Sequence, residues 1–216
     1  MKTRLLAFAT ILCLLALVIL ATVYLAWLCY PLEISWQKLD QVVYMKPNQI
    51  MANVNILMNY LTNPFSRQLN MPDFPSSKSG LKHFADVKHL FHLAQLLFIV
   101  LLYPAYRFIK EQLKKKSLWF YQRDFVVAAL FPLLIGFLGF FFGFDQFFTL
   151  FHQLLFPGDS SWLFNPYTDS VIYILPETFF MHCFLLFLVL YELLMLTMIW
   201  LAKSTTPKER YTNETV

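Results

Sequence analysis

The sequence predicts an all-α integral membrane protein with four transmembrane helices and two external loops that carry short amphipathic helices. Three observations carry that prediction. Hydrophobic residues make up 58% of the 216 and charged residues only 14%, whereas a soluble domain holds about a quarter charged residues. Four apolar runs, over 5–30, 90–109, 125–144 and 179–202, match the roughly 20 helical residues that cross about 30 Å of hydrocarbon. The 17 Lys and Arg residues are divided unevenly among the segments between them. The spans use the chain as a single transmembrane domain over 1–216, which leaves no room for a separate soluble one.

The first run follows Lys2 and Arg4 and is too long for the apolar stretch of a secretory signal. No Ala-x-Ala site follows it, and bulky Trp27-Leu28 before Cys29 does not suit a lipoprotein cleavage site, so it is read as an uncleaved anchor. The first loop, 31–89, contains Ile50, Val54, Leu57, Tyr60 and Leu61 at helical spacing with Asn53, Asn55 and Asn59 between them. That pattern predicts an amphipathic helix from Pro47 to Phe65, stopped at Asn63-Pro64, lying on a leaflet or roofing the bundle. The stretch from Arg67 to Gly80, rich in Pro and Ser, is a link, after which a helix from Leu81 runs into the second span. In the second loop, 145–178, Asp145–Phe156 reads as helix and Pro157–Ser161 as a turn. Pro176-Glu177 starts the fourth span.

Charge gives the orientation. Eleven basic residues lie at the N-terminus (Lys2, Arg4), between the second and third spans (Arg107, Lys110, Lys114, Lys115, Lys116, Arg123) and after the fourth (Lys203, Lys208, Arg210). Six lie along the first loop and none in 145–178. The positive-inside rule then puts both termini in the cytoplasm and both long loops on the external side of the membrane. The net charge of +4 belongs to the inner membrane face, with Lys114–Lys116 touching anionic lipid, and nothing points to nucleic acid. Cys13, Cys29 and Cys183 lie in or beside apolar runs and read as small hydrophobes rather than disulfide partners.

Two polar clusters stand against this apolar background, and ionisable groups at the mouth of a membrane bundle are functional candidates by default. In the first, His83 and Asp86 are three residues apart and share a helical face. A carboxylate beside an imidazole fixes its tautomer and raises its basicity, as a general base requires; the bland alternative is a polar face meeting water. His89 and His92 repeat the spacing, but no companion Cys or Glu pattern supports a metal site, and no metal or other cofactor is expected. In the second cluster His152 sits seven residues after Asp145, so both face one way. Asp159, Trp162, Tyr167, Asp169 and Glu177 follow. Trp162 and Tyr167 also suit interface anchors, Glu177 a helix N-terminal charge or a partner for a histidine, and His182 an inward polar contact or a pocket member. A nucleophile elbow and a phosphate loop are both missing.

The set His83-x-x-Asp-Val-Lys88, Phe151-His152, Pro157-Gly158-Asp159, Trp162-x-Phe-x-Pro166, Thr168-Asp169 and Pro176-Glu177 resembles the bacterial lipoprotein intramolecular transacylase family over nearly the whole chain. The motifs are specific together and weak singly. Phe84, where Met is common in the family, and the polar Asp159-Ser160-Ser161 before Trp162 depart from the pattern. The resemblance implies a membrane acyltransferase whose substrate is a diacylated lipoprotein. The sn-2 acyl chain of its glyceryl group would move to the α-amino group of the N-terminal Cys, giving the N-acyl lyso form. It implies catalytic roles for His83 and His152 and supporting or substrate-binding roles for Asp86, Lys88, Asp159, Trp162, Asp169 and Glu177. Membrane lipids are the other expected partners, with no obligate protein partner. Two readings remain beside it: a non-catalytic membrane assembly protein, and a metal-dependent membrane hydrolase.

Overall fold

Each apolar run becomes a helix longer than the run itself. The computed structural model describes residues 2–207, so Lys208 and Arg210 lie outside the described residues. The α-helices are α1 (Lys2–Trp36), α2 (Leu39–Val42), α3 (Pro47–Thr62), α4 (Lys78–Lys114), α5 (Gln122–Phe142), α6 (Phe144–Leu155) and α7 (Glu177–Ser204). Short 3-10 turns at Leu118–Tyr121 and Ser170–Tyr173 complete the order. Helices α1, α4, α5 with its leading turn, and α7 are long and apolar enough to cross a membrane.

The helix ends differ from the predicted ones for local reasons. Helix α1 runs on to Trp36 through Pro31, because a proline near a helix end removes only one hydrogen bond and Glu33 and Ile34 beyond it are buried. Helix α4 starts at Lys78, where the Ser77 hydroxyl accepts from Gly80 N at 3.0 Å and caps the first turn. Its 37 residues amount to about 55 Å, so its early turns extend well past its apolar run. The third span stops at Phe142 rather than Phe144: Gly143 has φ +93°, a conformation open to glycine and strained for other residues. That bend lets α6 fold back, with Phe147 lying over Gly139, where a Cβ would come within 3.1 Å of its ring.

The spans alternate in direction. Ala7 near the start of α1 shares a core with Phe108 near the end of α4 and Ala202 near the end of α7. Phe125 at the start of α5 meets the same core beside Met195 and Met198. Between spans the association rests on close packing, which small residues such as Ala7, Ala129 and Ala202 permit. A second core gathers Tyr30 and Ile34 of α1, Ile50, Val54 and Leu57 of α3, Phe84 of α4, and Val171 and Ile174 of the second loop. Helix α3 is therefore a roof built into the bundle, not a helix resting on a leaflet. The helix is amphipathic, with Asn55 and Asn59 exposed, but Asn53 departs from that pattern: it is 0% exposed, donating from Nδ2 to Asp73 Oδ2 at 2.7 Å and accepting from Asp73 N at 3.2 Å.

Helix α4 packs along α1 and against α3, while α7 packs along α5 and α1. Helix α4 has no extended contact with α6 or α7. The space left between these two halves positions the site.

Candidate active site

His83 lies in the second turn of α4 and is 7% exposed. His152 lies in the last turn of α6 and is 9% exposed. Their rings face each other across the gap between the halves, with centroids 5.7 Å apart. Phe156 and Phe164 place their rings edgewise to His83 at 5.1 and 5.6 Å, closing it in. His83 Nδ1 is buried with no hydrogen-bond partner among the described residues.

His152 Nδ1 lies 2.7 Å from the Phe148 carbonyl. A carbonyl only accepts, so Nδ1 carries the proton and Nε2 of the neutral ring keeps its lone pair. Burial lowers the His152 pKa below the ordinary histidine value, opposed by the bond to Phe148. Trp162 stacks on His152 with centroids 4.9 Å apart and planes at 28°. Its indole N–H donates to the Asp159 carbonyl at 2.9 Å, so what it offers the site is its ring face.

Both imidazoles open onto a cavity of about 410 Å³ whose walls come from α1, α3, α4, α6 and α7. Val23 and Tyr30 of α1, Leu57 of α3, Phe91 of α4 and Phe184 of α7 are typical of its lining, which is overwhelmingly apolar. The arrangement joins two proton-transfer groups to a greasy chamber of ligand-binding size.

The supporting residues separate into two groups. Trp162 and Glu177 line the cavity, Glu177 as the exposed first residue of α7, where a carboxylate meets the positive helix end. The other four do not line it. Asp86 makes no hydrogen bond to His83, contrary to the expected imidazole–carboxylate pair; it accepts from Lys82 Nζ at 3.1 Å. A full ammonium one turn away is a stronger partner for a carboxylate than a buried neutral ring. Asp159 also pairs with Lys82 and accepts from Ser161 N at 2.9 Å. The Lys82 ammonium holds the Asp159 carboxyl well below the usual range, at about 2. Lys88 donates to the Ser66 carbonyl and lies 4.4 Å from the centre of the Tyr60 ring, pinning the first loop. Asp169, 2% exposed, accepts from Ser77 N and Thr168 Oγ1, both at 2.8 Å, and so clamps the second loop to the start of α4. Its carboxylate sits where a Cβ on Gly80 would go.

Asp145, expected to share a face with His152, is exposed while His152 is buried. Tyr167 is exposed. His89 is exposed, and His92 Nδ1 donates to Gln95 Oε1 at 2.8 Å. Among the described residues no group of three His, Cys, Asp or Glu side chains is arranged to hold a metal ion.

His182 makes an inward polar contact and does not line the cavity; its partners were not foreseen. His182 Nδ1 donates to Glu33 Oε1 at 2.8 Å, Gln37 Nε2 donates to Glu33 Oε2 at 2.6 Å, and Thr178 donates to Gln37. The first of these bonds joins α1 to α7, and none of the four residues lines the cavity. A lone carboxylate at the end of the first apolar run was the available signal.

Fold and site thus define a multi-pass helical membrane protein with a polar centre at the end of an apolar chamber. The profile of the family lipoprotein intramolecular transacylase Lit matches residues 4–180, and the chain belongs to that family. It is an enzyme, a membrane acyltransferase. The structure of the membrane-integral lipoprotein intramolecular transacylase Lit from Bacillus cereus is 28% identical, covers 94% of this chain and 93% of that one, and superposes with a TM-score of 0.85. Structures of that enzyme with a single histidine replaced by arginine or by alanine, also 28% identical, give TM-scores of 0.77 and 0.78. They cover 94% of this chain and 89% and 91% of their own. No curated protein sequence matches the chain.

Proposed function

We propose that His83 and His152 are the proton-transfer pair of an intramolecular acyl transfer on a diacylated lipoprotein. The α-amino nitrogen of the N-terminal Cys attacks the sn-2 ester carbonyl of the diacylglyceryl group carried by the same Cys. A C–N bond forms and the ester C–O bond breaks; of the two protons the ammonium nitrogen gives up, one replaces the acyl group on the glyceryl oxygen and the other leaves to solvent. The products are an amide and a free hydroxyl in one molecule; water is not consumed and no acyl-enzyme forms.

The observation that carries this reading is the pair of buried imidazoles facing each other at 5.7 Å on the apolar cavity. An α-amino group with a pKa of about 8 is mostly protonated at pH 7 and needs a base. His152, with Nδ1–H committed to Phe148, accepts at Nε2. His83 takes the second proton from the nitrogen of the tetrahedral intermediate and passes it to the leaving oxygen, while the first leaves His152 for solvent. Such transfers contribute roughly 10²–10⁴ in rate, and holding amine and ester together supplies an effective molarity of about 10⁵–10⁸ M. A nucleophilic side chain is therefore unnecessary. The acyl chains enter from the bilayer through the gap between α4 and α6–α7.

The whole chain acts as one transmembrane unit in the bacterial cell membrane, with both termini cytoplasmic and the histidines toward the outer face. The eleven-to-six division of basic residues supports that orientation. Membrane lipid surrounds the enzyme and no obligate protein partner is needed. Incubating the purified protein with a mixture of isotope-labelled and unlabelled diacylated lipopeptides tests the reaction. The expected product has unchanged mass, an acylated nitrogen and no exchange of label between molecules. Release of free fatty acid or crossed labelling contradicts it.

A further inference from the structure

We infer that Lys82 is a positioning residue of this site: it ties the start of α4 to the loop after α6 and so holds the two imidazoles in register. The inference rests on the histidine-pair reading above. Lys82 directly precedes His83, and its ammonium reaches across the gap between the halves to pair with Asp159. Asp86, one turn along α4, fixes the same ammonium at 3.1 Å. The Asp159 carboxylate is held in its own turn by Ser161 N, and the Asp159 carbonyl accepts from the indole of Trp162, which stacks on His152. One unbroken series of contacts thus runs from the residue beside one histidine to the ring covering the other.

The reason such a tie matters is the packing. Helices α4 and α6 have no extended contact, so helix packing alone does not set the distance between side chains they carry. Around the histidines the crossing contacts include the edges of Phe156 and Phe164 on His83, the Phe84–Phe164 ring contact at 5.3 Å and the Lys82–Asp159 pair. Asp169 clamps α4 further back, at Ser77. A partly exposed ion pair adds little to global stability, whereas a misplacement of about 1 Å at reacting groups can slow catalysis about 100-fold. Activity and stability therefore separate at Lys82, which they do not at a purely structural residue.

The experiment measures kcat, KM and thermal unfolding of the full-length protein on a synthetic diacylated lipopeptide. The variants are Lys82→Met, Lys82→Arg, Asp159→Asn and the double Lys82→Met/Asp159→Asn, with His83→Ala as reference. Lys82→Met should lower kcat roughly 10- to 100-fold with KM and unfolding temperature little changed. Lys82→Arg should recover most of that loss, and the double variant should be no worse than Lys82→Met because both remove one link. The inference is overturned by a Lys82→Met enzyme as fast as the parent when His83→Ala is inactive, by equal losses in Lys82→Met and Lys82→Arg, or by additive losses in the double variant. Should Lys82→Met fail to fold, Asp159→Asn decides alone: parent-like kcat overturns the tie. An active His83→Ala enzyme removes instead the site reading beneath it.

Discussion

Trp162 covers His152 face to face, with ring centroids 4.9 Å apart, while its indole N–H is spent on the Asp159 carbonyl at 2.9 Å. The ring and the N–H therefore do separate jobs, and two substitutions separate them. Trp162→Phe keeps an aromatic face and loses the tether; Trp162→Ala loses both. An aromatic contact of this kind contributes roughly 0.5–1.5 kcal/mol beyond its buried area. Phe should retain more kcat/KM than Ala, by a factor of about 2–10. Equal activity in the two variants contradicts a role for the ring face.

The pH dependence follows from the His152 environment. Burial disfavours the imidazolium, so the folded pKa lies below the ordinary value of 6.5. The neutral base then persists below that pH and is lost as pH falls through the lowered value. The stability tied to the neutral ring follows the same direction: present above the unfolded pKa, lost on the acid side. The substrate amine titrates first, near pH 8, giving log(kcat/KM) a slope of about one. A second unit of slope should appear only below the ordinary histidine range. Steepening at or above it contradicts a buried neutral base.

The pair between His182 and Glu33 joins α7 to α1 outside the cavity. Its loss should weaken the seam more than the chemistry. His182→Ala leaves Glu33 with the Gln37 donor only, and an under-satisfied buried acceptor costs about 1–3 kcal/mol. Replacing both partners by Leu leaves no unpaired charge and should restore part of the stability. Thermal unfolding in detergent measures this; a His182→Ala protein with the parental midpoint contradicts the seam.

Much of the architecture was legible in the residues because its signals are local. Apolar length marked the four spans, Pro47 and Asn63 bounded α3, and Pro176-Glu177 opened α7. The glycine break came two residues early because a conformation available to Gly143 decides it, not hydropathy. The histidines were legible as unusual polar groups, but their meeting is a property of two halves joined late in the chain. Asp86 illustrates the limit: its spacing fits His83 as well as Lys82, and only burial of the imidazole and the position of Asp159 decide between them. Glu33 and His182 lie 149 residues apart, beyond any spacing rule.

The most direct measurement is formation of N-acyl lyso-lipoprotein by His83→Ala, His152→Ala and the double variant, read by mass spectrometry of lipoprotein N-termini with membrane levels of each protein matched. Groups serving one reacting centre are not additive. Each single variant is predicted to abolish the product, with the double scarcely worse than either. Near-parental product from either single variant, or losses that multiply in the double, contradicts a shared two-histidine site.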